Sequence, residues 1–563
     1  MELYQRFLTE KLNEDGTLAA IDFHAPDTYN FGFDVVDGFG KSEPDRRAMI
    51  WASDAEERIF TFGDMMRLSA KICNYLIAKG VRKGDRVMLV LRRHWEFWPI
   101  ITALHKLGAI VIPATDQLKE KDFVYRFNAA GVKAIICTAY GGVLEEAEHA
   151  ARKCTDVEIK IAVDGTHKGL RSGASEERLS TLDCGWADFG EFENYSDAYA
   201  RPTDGSAPMR DEPMLMYFTS GTTAYPKIAS HEHTYSLAHF VTAKWWHCVE
   251  KDGVHFTVAE TGWGKAVWGK LYGQWLCGAC IFTYDFDRFD QDKLLDMIAK
   301  HRITTFCAPP TIYRFMIKAD LSKHDLSSLK YITTAGEALN PEVYNKLKEA
   351  TGLGIMEGFG QTETTLTVAN LKGSTPKSGS MGKPTPIYNV LLCDSDGREV
   401  EVGTAGEICI DISNGKPYGL FSEYYRNAEE TARTMHDGLY HTGDVAWRDE
   451  DGYLFFVGRT DDIIKSSGYR IGPFEIESVL MEHPAVLECA VTGEPDPVRG
   501  QVVKATIVLA KGYESSDELK RELQIYVKNA TAPYKYPRII DFVAELPKTI
   551  SGKIRRTELR KKS

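Results

Sequence analysis

Short apolar runs alternate with segments of helical periodicity along most of the chain. Arg86-Val87-Met88-Leu89-Val90-Leu91 is apolar after its first residue and predicts a buried strand. His94 to Leu107 spaces its apolar positions as an amphipathic helix does, and Ala109-Ile110-Val111-Ile112-Pro113 predicts the next strand. Val132 to Cys137, Thr304 to Pro309 and Tyr331 to Gly336 repeat the strand pattern. This alternation builds βαβ units and mostly parallel sheets, whose ligand sites gather where loops leave the carboxyl ends of strands. The expected fold class is α/β: a large N-terminal domain of mostly parallel sheets flanked by helices, then a small α+β C-terminal domain.

The second domain is read from a self-contained final stretch. Phe474 to Glu482 predicts a helix, Leu487 to Thr492 and Val502 to Leu509 predict strands, and Ser515 to Asn529 predicts another helix. Leu454-Phe455-Phe456-Val457-Gly458 reads as the last strand of the large domain, which places the boundary near Asp461 and divides the chain into 1–460 and 461–563. A chain of 563 residues is too long for one ordinary core, so two or more domains are expected. Residues 166–212 are polar, acidic and Gly/Ser-rich and read as a surface excursion.

Composition narrows the partners. A net charge of −12 argues against a nucleic-acid binder, which needs a basic face, but local cations can still dominate a cleft. The chain holds no run of about 18 uncharged apolar residues, so no transmembrane segment is expected. The N-terminus has neither a signal core nor transit-peptide composition, and the eleven Cys are scattered without a framework, which fits reduced thiols and a cytoplasmic setting. Cys277-Gly278-Ala279-Cys280 sits between apolar pairs and reads as a buried turn into a strand. Nothing in the pattern separates a monomer from a homodimer.

The chemistry is concentrated in a few loops. Tyr217-Phe218-Thr219-Ser220-Gly221-Thr222-Thr223-Ala224-Tyr225-Pro226-Lys227 offers hydroxyls, backbone N–H groups and an ammonium to one small anion, with phosphate the natural guest. It lacks the Gly-Lys-Ser/Thr ending of a Walker loop. Downstream, in order, stand Glu357-Gly358-Phe359-Gly360-Gln361-Thr362-Glu363, His441-Thr442-Gly443-Asp444, Gly458-Arg459-Thr460-Asp461, Lys465-Ser466-Ser467-Gly468-Tyr469-Arg470 and Pro547-Lys548-Thr549-Ile550-Ser551-Gly552-Lys553.

This ordered set resembles the adenylate-forming superfamily of acyl-CoA synthetases, luciferases and peptide-synthetase adenylation domains, over roughly residues 50–556. The Ser-Ser-Gly-Tyr-Arg-Ile-Gly-Pro-Phe-Glu run is most similar to the medium-chain acyl-CoA synthetase branch. The resemblance implies ATP and CoA as co-substrates, Mg²⁺ as cofactor and a small carboxylic acid as partner. It implies that Lys553 bridges carboxylate and α-phosphate during adenylation, that Thr362 contacts that phosphate and that Glu363 holds the metal. Thr219, Ser220, Gly221, Thr222, Thr223 and Lys227 would cradle phosphates. Gly336, Glu337, Ala338, Glu357, Gly358 and Phe359 would wall the adenine, Gly360 and Gln361 would belong to the same ATP site, Asp444 and Arg459 would take the ribose, and Arg470 would reach the nucleotide phosphate.

The same likeness implies a mobile C-terminal domain that rotates about Asp461. Rotation would withdraw Lys553 and bring Ser467, Gly468 and Tyr469 to the carbonyl, with Arg499, Tyr536, Pro537 and Arg538 holding the CoA nucleotide. On the residues alone, a plain surface arginine is an equally good reading of Arg499 and Arg538. Small-acid relatives carry Trp where this chain has Gly360, so Gly360 is expected to open the acyl pocket, with Trp263 as one wall. Trp245, Trp246, Trp268 and Trp275 either narrow it again or simply pack in the core. Ala224 departs from the usual Gly of the first loop. The expected activity is AMP-forming acyl-CoA synthesis on a medium-chain, short-branched or aryl acid. An enzyme that loads a carrier protein, an acetate or propionate ligase, and a luciferase-like oxygenase remain alternatives.

Overall fold

The computed structural model describes residues 2–164, 185–219, 225–336, 339, 341–467, 469–548 and 554–561, the side chains of 341, 342, 470 and 561 excepted. Two large sheets dominate. In the first, Arg86–Val90 lies between parallel neighbours Ile110–Pro113 and Ala134–Thr138, and Pro213–Thr219 joins parallel to Ile110–Pro113. Lys227–Glu232 returns antiparallel to Pro213–Thr219 and in turn pairs with the short strand Glu423–Tyr424. The second sheet runs parallel through Arg47–Ser53, Cys280–Asp285, Val254–Thr257, Thr305–Cys307, Tyr331–Ala335 and Ile355–Gly360. Buried on both faces, such strands read as continuous apolar runs, which is why their positions follow from the sequence.

The helix Phe97–Leu107 differs from the amphipathic expectation, because all eleven of its residues are buried. Its polar members find partners inside the fold: His105 Nε2 pairs with the Tyr272 hydroxyl at 2.8 Å, though its Nδ1 has no partner among the described residues, and Lys106 donates to Asp37 at 2.6 Å and Ser69 at 2.8 Å. Periodicity marks which positions are apolar but cannot say whether the remaining face meets water. The surface-excursion reading of 166–212 also needs correction where the chain is described. Ala187–Asp188 extends the first large sheet, and Phe189 and Phe192 are buried, with the Tyr75 hydroxyl donating to the Asp188 carbonyl at 2.9 Å.

Two smaller sheets follow, the first antiparallel and the second mixed, since its last strand Ile539–Phe542 pairs parallel with Gly500–Leu509. One comprises Val390–Cys393, Ala405–Asp411, Met435–His436, Leu439–Arg448 and Leu454–Arg459. The other comprises Ile464–Ser466, Tyr469–Ile471, Val486–Asp496, Gly500–Leu509 and Ile539–Phe542, packed on helices Pro473–Met481 and Asp517–Ala530. This last unit has its own core, including Ile471, Leu480, Val491, Ile507 and Leu523. Asp461 lies in the short connection between the two sheets.

Candidate active site

Three sheets meet at Gln361–Glu363, just past the end of strand Ile355–Gly360. From the antiparallel sheet, Asp444 stands opposite Arg459 on neighbouring strands. The Gln361 side-chain amide donates to the Thr442 carbonyl at 2.8 Å and to Asp444 Oδ2 at 2.5 Å, while the Tyr440 hydroxyl donates to Gln361 Oε1 at 2.8 Å. Arg459 Nη1 reaches the Thr442 carbonyl at 3.2 Å and Asp444 Oδ1 at 3.4 Å. Gly443 makes this turn possible: its φ is +72°, and a Cβ there would stand 2.7 Å from Arg459 Nη2.

From the first large sheet come Thr219 and Lys227, opposite each other at the ends of their strands. Thr219 Oγ1 lies 3.4 Å from Glu363 Oε1, and the Tyr424 hydroxyl donates to that same oxygen at 2.8 Å. Burial and the Glu363 carboxylate raise the Tyr424 phenol, so it remains a donor. Glu363 is only 8% exposed, and its Oε2 has no partner among the described residues. Lys227 is paired with Glu430 and lies 4.9 Å from the centre of the Tyr424 ring. Glu430 is held down to about 2, first by Arg433 and then by Lys227. Burial pushes the His231 imidazole down to about 3, so the neutral ring donates from Nε2 to the Thr362 carbonyl at 2.8 Å.

Strand Ile355–Gly360 runs beside Tyr331–Ala335 with Thr334 opposite Glu357 and Ala335 opposite Gly358, so Gly336 emerges next to Phe359. Burial alone pushes the Glu357 carboxyl up to about 8. The Glu260–Lys265 segment abuts this edge through Lys265, which donates to the Ala335 carbonyl at 3.0 Å. Trp263 caps the helix Gly264–Lys270, whose Trp268 is buried.

Gly360 needs a different physical account from the open-pocket expectation. The register shifts between Phe359 and Gly360, and a Cβ at Gly360 would collide with the Thr365 carbonyl oxygen and lie 2.5 Å from Trp268 Cη2. Close approach of two backbones therefore requires glycine here, and an indole already fills the space in front. Gly358 is similar, with the Trp246 ring 2.7 Å from where its Cβ would be. Trp246 and Trp268 are thus the residues whose place at the strand end sequence could not assign. Their spacing suits core packing equally well, and only the glycines opposite hint at the contact.

The thiol-side candidates gather on the last sheet. Ser467 N donates to the Arg499 carbonyl at 2.9 Å, and Ser466 pairs with Gly500, so both loops share one edge. Tyr469 is 50% exposed and stacks on Tyr534 with ring centroids 4.0 Å apart. Arg538 donates to the Tyr536 hydroxyl at 2.9 Å, and Pro537 between them is buried. Arg470 stands opposite Lys465 in the backbone register. Arg459 Nε lies 3.7 Å from Asp461. Ser220, Gly221, Thr222, Thr223, Ala224, Glu337, Ala338, Gly468 and Lys553 lie outside the described residues, as does the Arg470 side chain.

Known families match this geometry along the chain. The AMP-binding enzyme family matches residues 37–425, and the AMP-binding enzyme C-terminal domain matches residues 475–553. The chain is 41% identical over 547 residues to "Acyl-coenzyme A synthetase ACSM3, mitochondrial" of Mus musculus, covering 95% of this chain and 91% of that protein. It is 40% identical over 545 residues to "Acyl-coenzyme A synthetase ACSM5, mitochondrial" of Homo sapiens, covering 95% and 90%. Among solved structures, the anthranilate CoA ligase AuaEII in complex with anthranoyl-AMP is similar with a TM-score of 0.82 at 28% identity, covering 96% of this chain and 98% of that one. A benzoate CoA ligase from Burkholderia xenovorans LB400 is similar with a TM-score of 0.77 at 26% identity, covering 94% and 100%. The chain belongs to the AMP-binding enzyme family, the adenylate-forming superfamily, and within it stands with the acyl-coenzyme A synthetases, AMP-forming acid–thiol ligases.

Proposed function

We propose that this enzyme joins CoA to an aryl, short-branched or medium-chain carboxylic acid through an enzyme-bound acyl-adenylate, releasing AMP and pyrophosphate. The observation that carries the reading is the meeting of three sheets at Gln361–Glu363, which sets a partnered acid–arginine pair, Asp444 with Arg459, beside a buried carboxylate with one oxygen uncommitted among the described residues. The pair suits two ribose hydroxyls. Glu363 Oε2, without a partner among the described residues, suits Mg²⁺, which takes one or two protein carboxylates and completes its shell with phosphates and water. When bound there, the ion would neutralise triphosphate charge.

The attacking carboxylate and the α-phosphate repel one another, so adenylation needs a cation between them. Lys553 supplies that charge in this reading, with Thr362 at the α-phosphate and Thr219, Ser220, Gly221, Thr222, Thr223 and Lys227 around the outer phosphates. Lys227 must then leave or share Glu430. The adenine lies between the Gly336-Glu337-Ala338 and Glu357–Gly360 walls, with the face of Phe359 available for stacking. Rotation about Asp461 then presents Ser467, Gly468 and Tyr469 to the thioester-forming carbonyl, with Arg470, Arg499, Tyr536, Pro537 and Arg538 on the nucleotide portions. The fit of Trp268 against Gly360 favours a flat or short acyl group over an extended chain. A cytoplasmic setting is part of this reading; every described cysteine is free, and no helix among the described residues is long and apolar enough to cross a membrane.

A panel of C2 to C12 and aromatic acids, scored by AMP release with CoA present, tests this proposal. Benzoate-class or C4 to C8 acids are expected to give the highest kcat/KM. Best turnover on acetate, or AMP release that depends on a carrier protein rather than CoA, would overturn it.

A further inference from the structure

The antiparallel sheet carries a second cluster of donor atoms that adenylation does not use. Glu407, Cys409 and His441 project from the neighbouring strands Ala405–Asp411 and Leu439–Arg448, where Cys409 and His441 stand directly opposite one another. One ligating atom from each lies within 4.8 Å of the other two. His441 Nδ1 is 3.1 Å from Glu407 Oε2 and 3.6 Å from Cys409 Sγ.

The two spacings to His441 Nδ1 match edges of a coordination tetrahedron. With Zn–S of about 2.3 Å and Zn–N and Zn–O of about 2.0–2.1 Å, a thiolate–imidazole edge is about 3.5 Å and an imidazole–carboxylate edge about 3.3 Å. A thiolate, an imidazole and a carboxylate together are a donor set for a borderline-soft divalent ion, not for Mg²⁺ or Ca²⁺. Cys409 is buried, while Glu407 and His441 are partly open, so an ion has a way in and solvent can take a fourth position. We propose that Glu407, Cys409 and His441 form a zinc-class divalent cation site.

Binding exchanges protons for the ion. Burial, then the Glu407 carboxylate, keep the Cys409 thiol protonated, and the ion displaces that proton to solvent, while the neutral His441 ring moves its proton from Nδ1 to Nε2 so that Nδ1 can ligate. The bond between Nδ1 and Glu407 gives way to two metal–ligand bonds, while Glu407 Oε1 keeps the Gly443 N–H at 2.8 Å. Through that bond the ion braces the turn that leads into Asp444. The site depends on no assumption about the acid substrate.

The test is titration of the full-length, chelator-stripped and reduced protein with Co²⁺, followed by competition with Zn²⁺. Reduction matters because Cys393 and Cys409 are both free thiols on the neighbouring strands Val390–Cys393 and Ala405–Asp411. One equivalent should bind with thiolate-to-metal charge-transfer absorption in the near ultraviolet, Zn²⁺ should bleach it, and Zn²⁺ should raise Tm. Cys409→Ser should abolish the band and weaken Zn²⁺ binding about 100-fold or more, since loss of a ligand costs at least what loss of its support does. Glu407→Gln, which keeps an acceptor for Gly443, should weaken binding while leaving the fold intact, and Cys154→Ser should change nothing. Absence of the band in the wild-type protein, or its persistence in Cys409→Ser, would overturn the proposal. Acid-dependent pyrophosphate exchange reports separately on the adenylation chemistry, so the two readings fail independently.

Discussion

Around Gln361–Glu363 the partners come from separate elements: Gln361 is held by Asp444 and Glu363 by Tyr424, each from another sheet, and Lys227 by Glu430 of helix Ala428–Thr434. Around Tyr469 the partners all belong to the same small unit: Tyr534 stacks on it, the Arg499 carbonyl takes the Ser467 N–H, and Tyr536 pairs with Arg538. The difference teaches how one chain can serve two half-reactions. A site shared between docked sheets is rigid and preorganised, which suits electrostatic work on a triphosphate. A face whose partners among the described residues lie in one unit keeps those partners when the unit moves as a body, which suits an acceptor that arrives second.

The largest effect that would break this contrast is at the shared site. Asp444→Ala removes the acceptor for both Gln361 and Arg459, and with charge-assisted bonds worth about 1.5–3 kcal/mol each, kcat/KM for ATP should fall roughly 10³-fold. Steady-state pyrophosphate release checks this, and a fall under tenfold would detach Asp444 from the nucleotide. Glu363→Gln keeps the Tyr424 contact but removes the charge, and a roughly 10²-fold loss of adenylation rate is expected in single-turnover acyl-AMP formation. Trp268→Leu opens space before Gly360 and should shift kcat/KM toward longer acids by roughly 10–200-fold, read from the acid panel. Gly360→Trp, by contrast, should cost folding stability in a melting experiment, since it meets the Thr365 backbone before it meets any substrate.

The smaller effects sharpen the other half. Tyr469→Ala should raise KM for CoA about tenfold, in line with the loss of one stacking partner, and leave acyl-AMP formation unchanged. Loss of both would deny the separation. Glu357 gives a pH signature in the ligand-free enzyme. Its folded pKa is raised to about 8 above the usual carboxylate value, so the folded state holds an extra proton between roughly pH 4.5 and 8. Stability should therefore fall as pH rises through that window, and Glu357→Gln should melt progressively higher than wild type from pH 5 to 8.5. A gap that stays constant across pH would contradict the assigned burial.

Much of this was legible in the chain. Strands such as Arg86–Val90 and Tyr331–Ala335 are buried on both faces and announce themselves as apolar runs. The loops near Glu363, Asp444 and Arg459 carry dense, ordered chemistry whose resemblance pointed to one activity. What stayed hidden depends on tertiary contact. Nothing local says that Phe97–Leu107 is enclosed on every side, that Phe189 and Phe192 turn inward, or that Trp268 meets Gly360. The Glu407, Cys409 and His441 cluster was invisible for the same reason. Its members lie up to 34 residues apart and meet only through strand pairing, whereas the conspicuous Cys277 and Cys280 form no metal cluster among the described residues.

The most direct test of the central claim separates the two half-reactions at Lys553. Acid-dependent exchange between ATP and pyrophosphate is measured beside thioesterification of supplied acyl-AMP, in wild type and Lys553→Ala. If one ammonium bridges the two anions and then withdraws, exchange should fall at least roughly 10³-fold while thioesterification stays within about threefold. Equal loss of both steps, or retained exchange, would contradict the account.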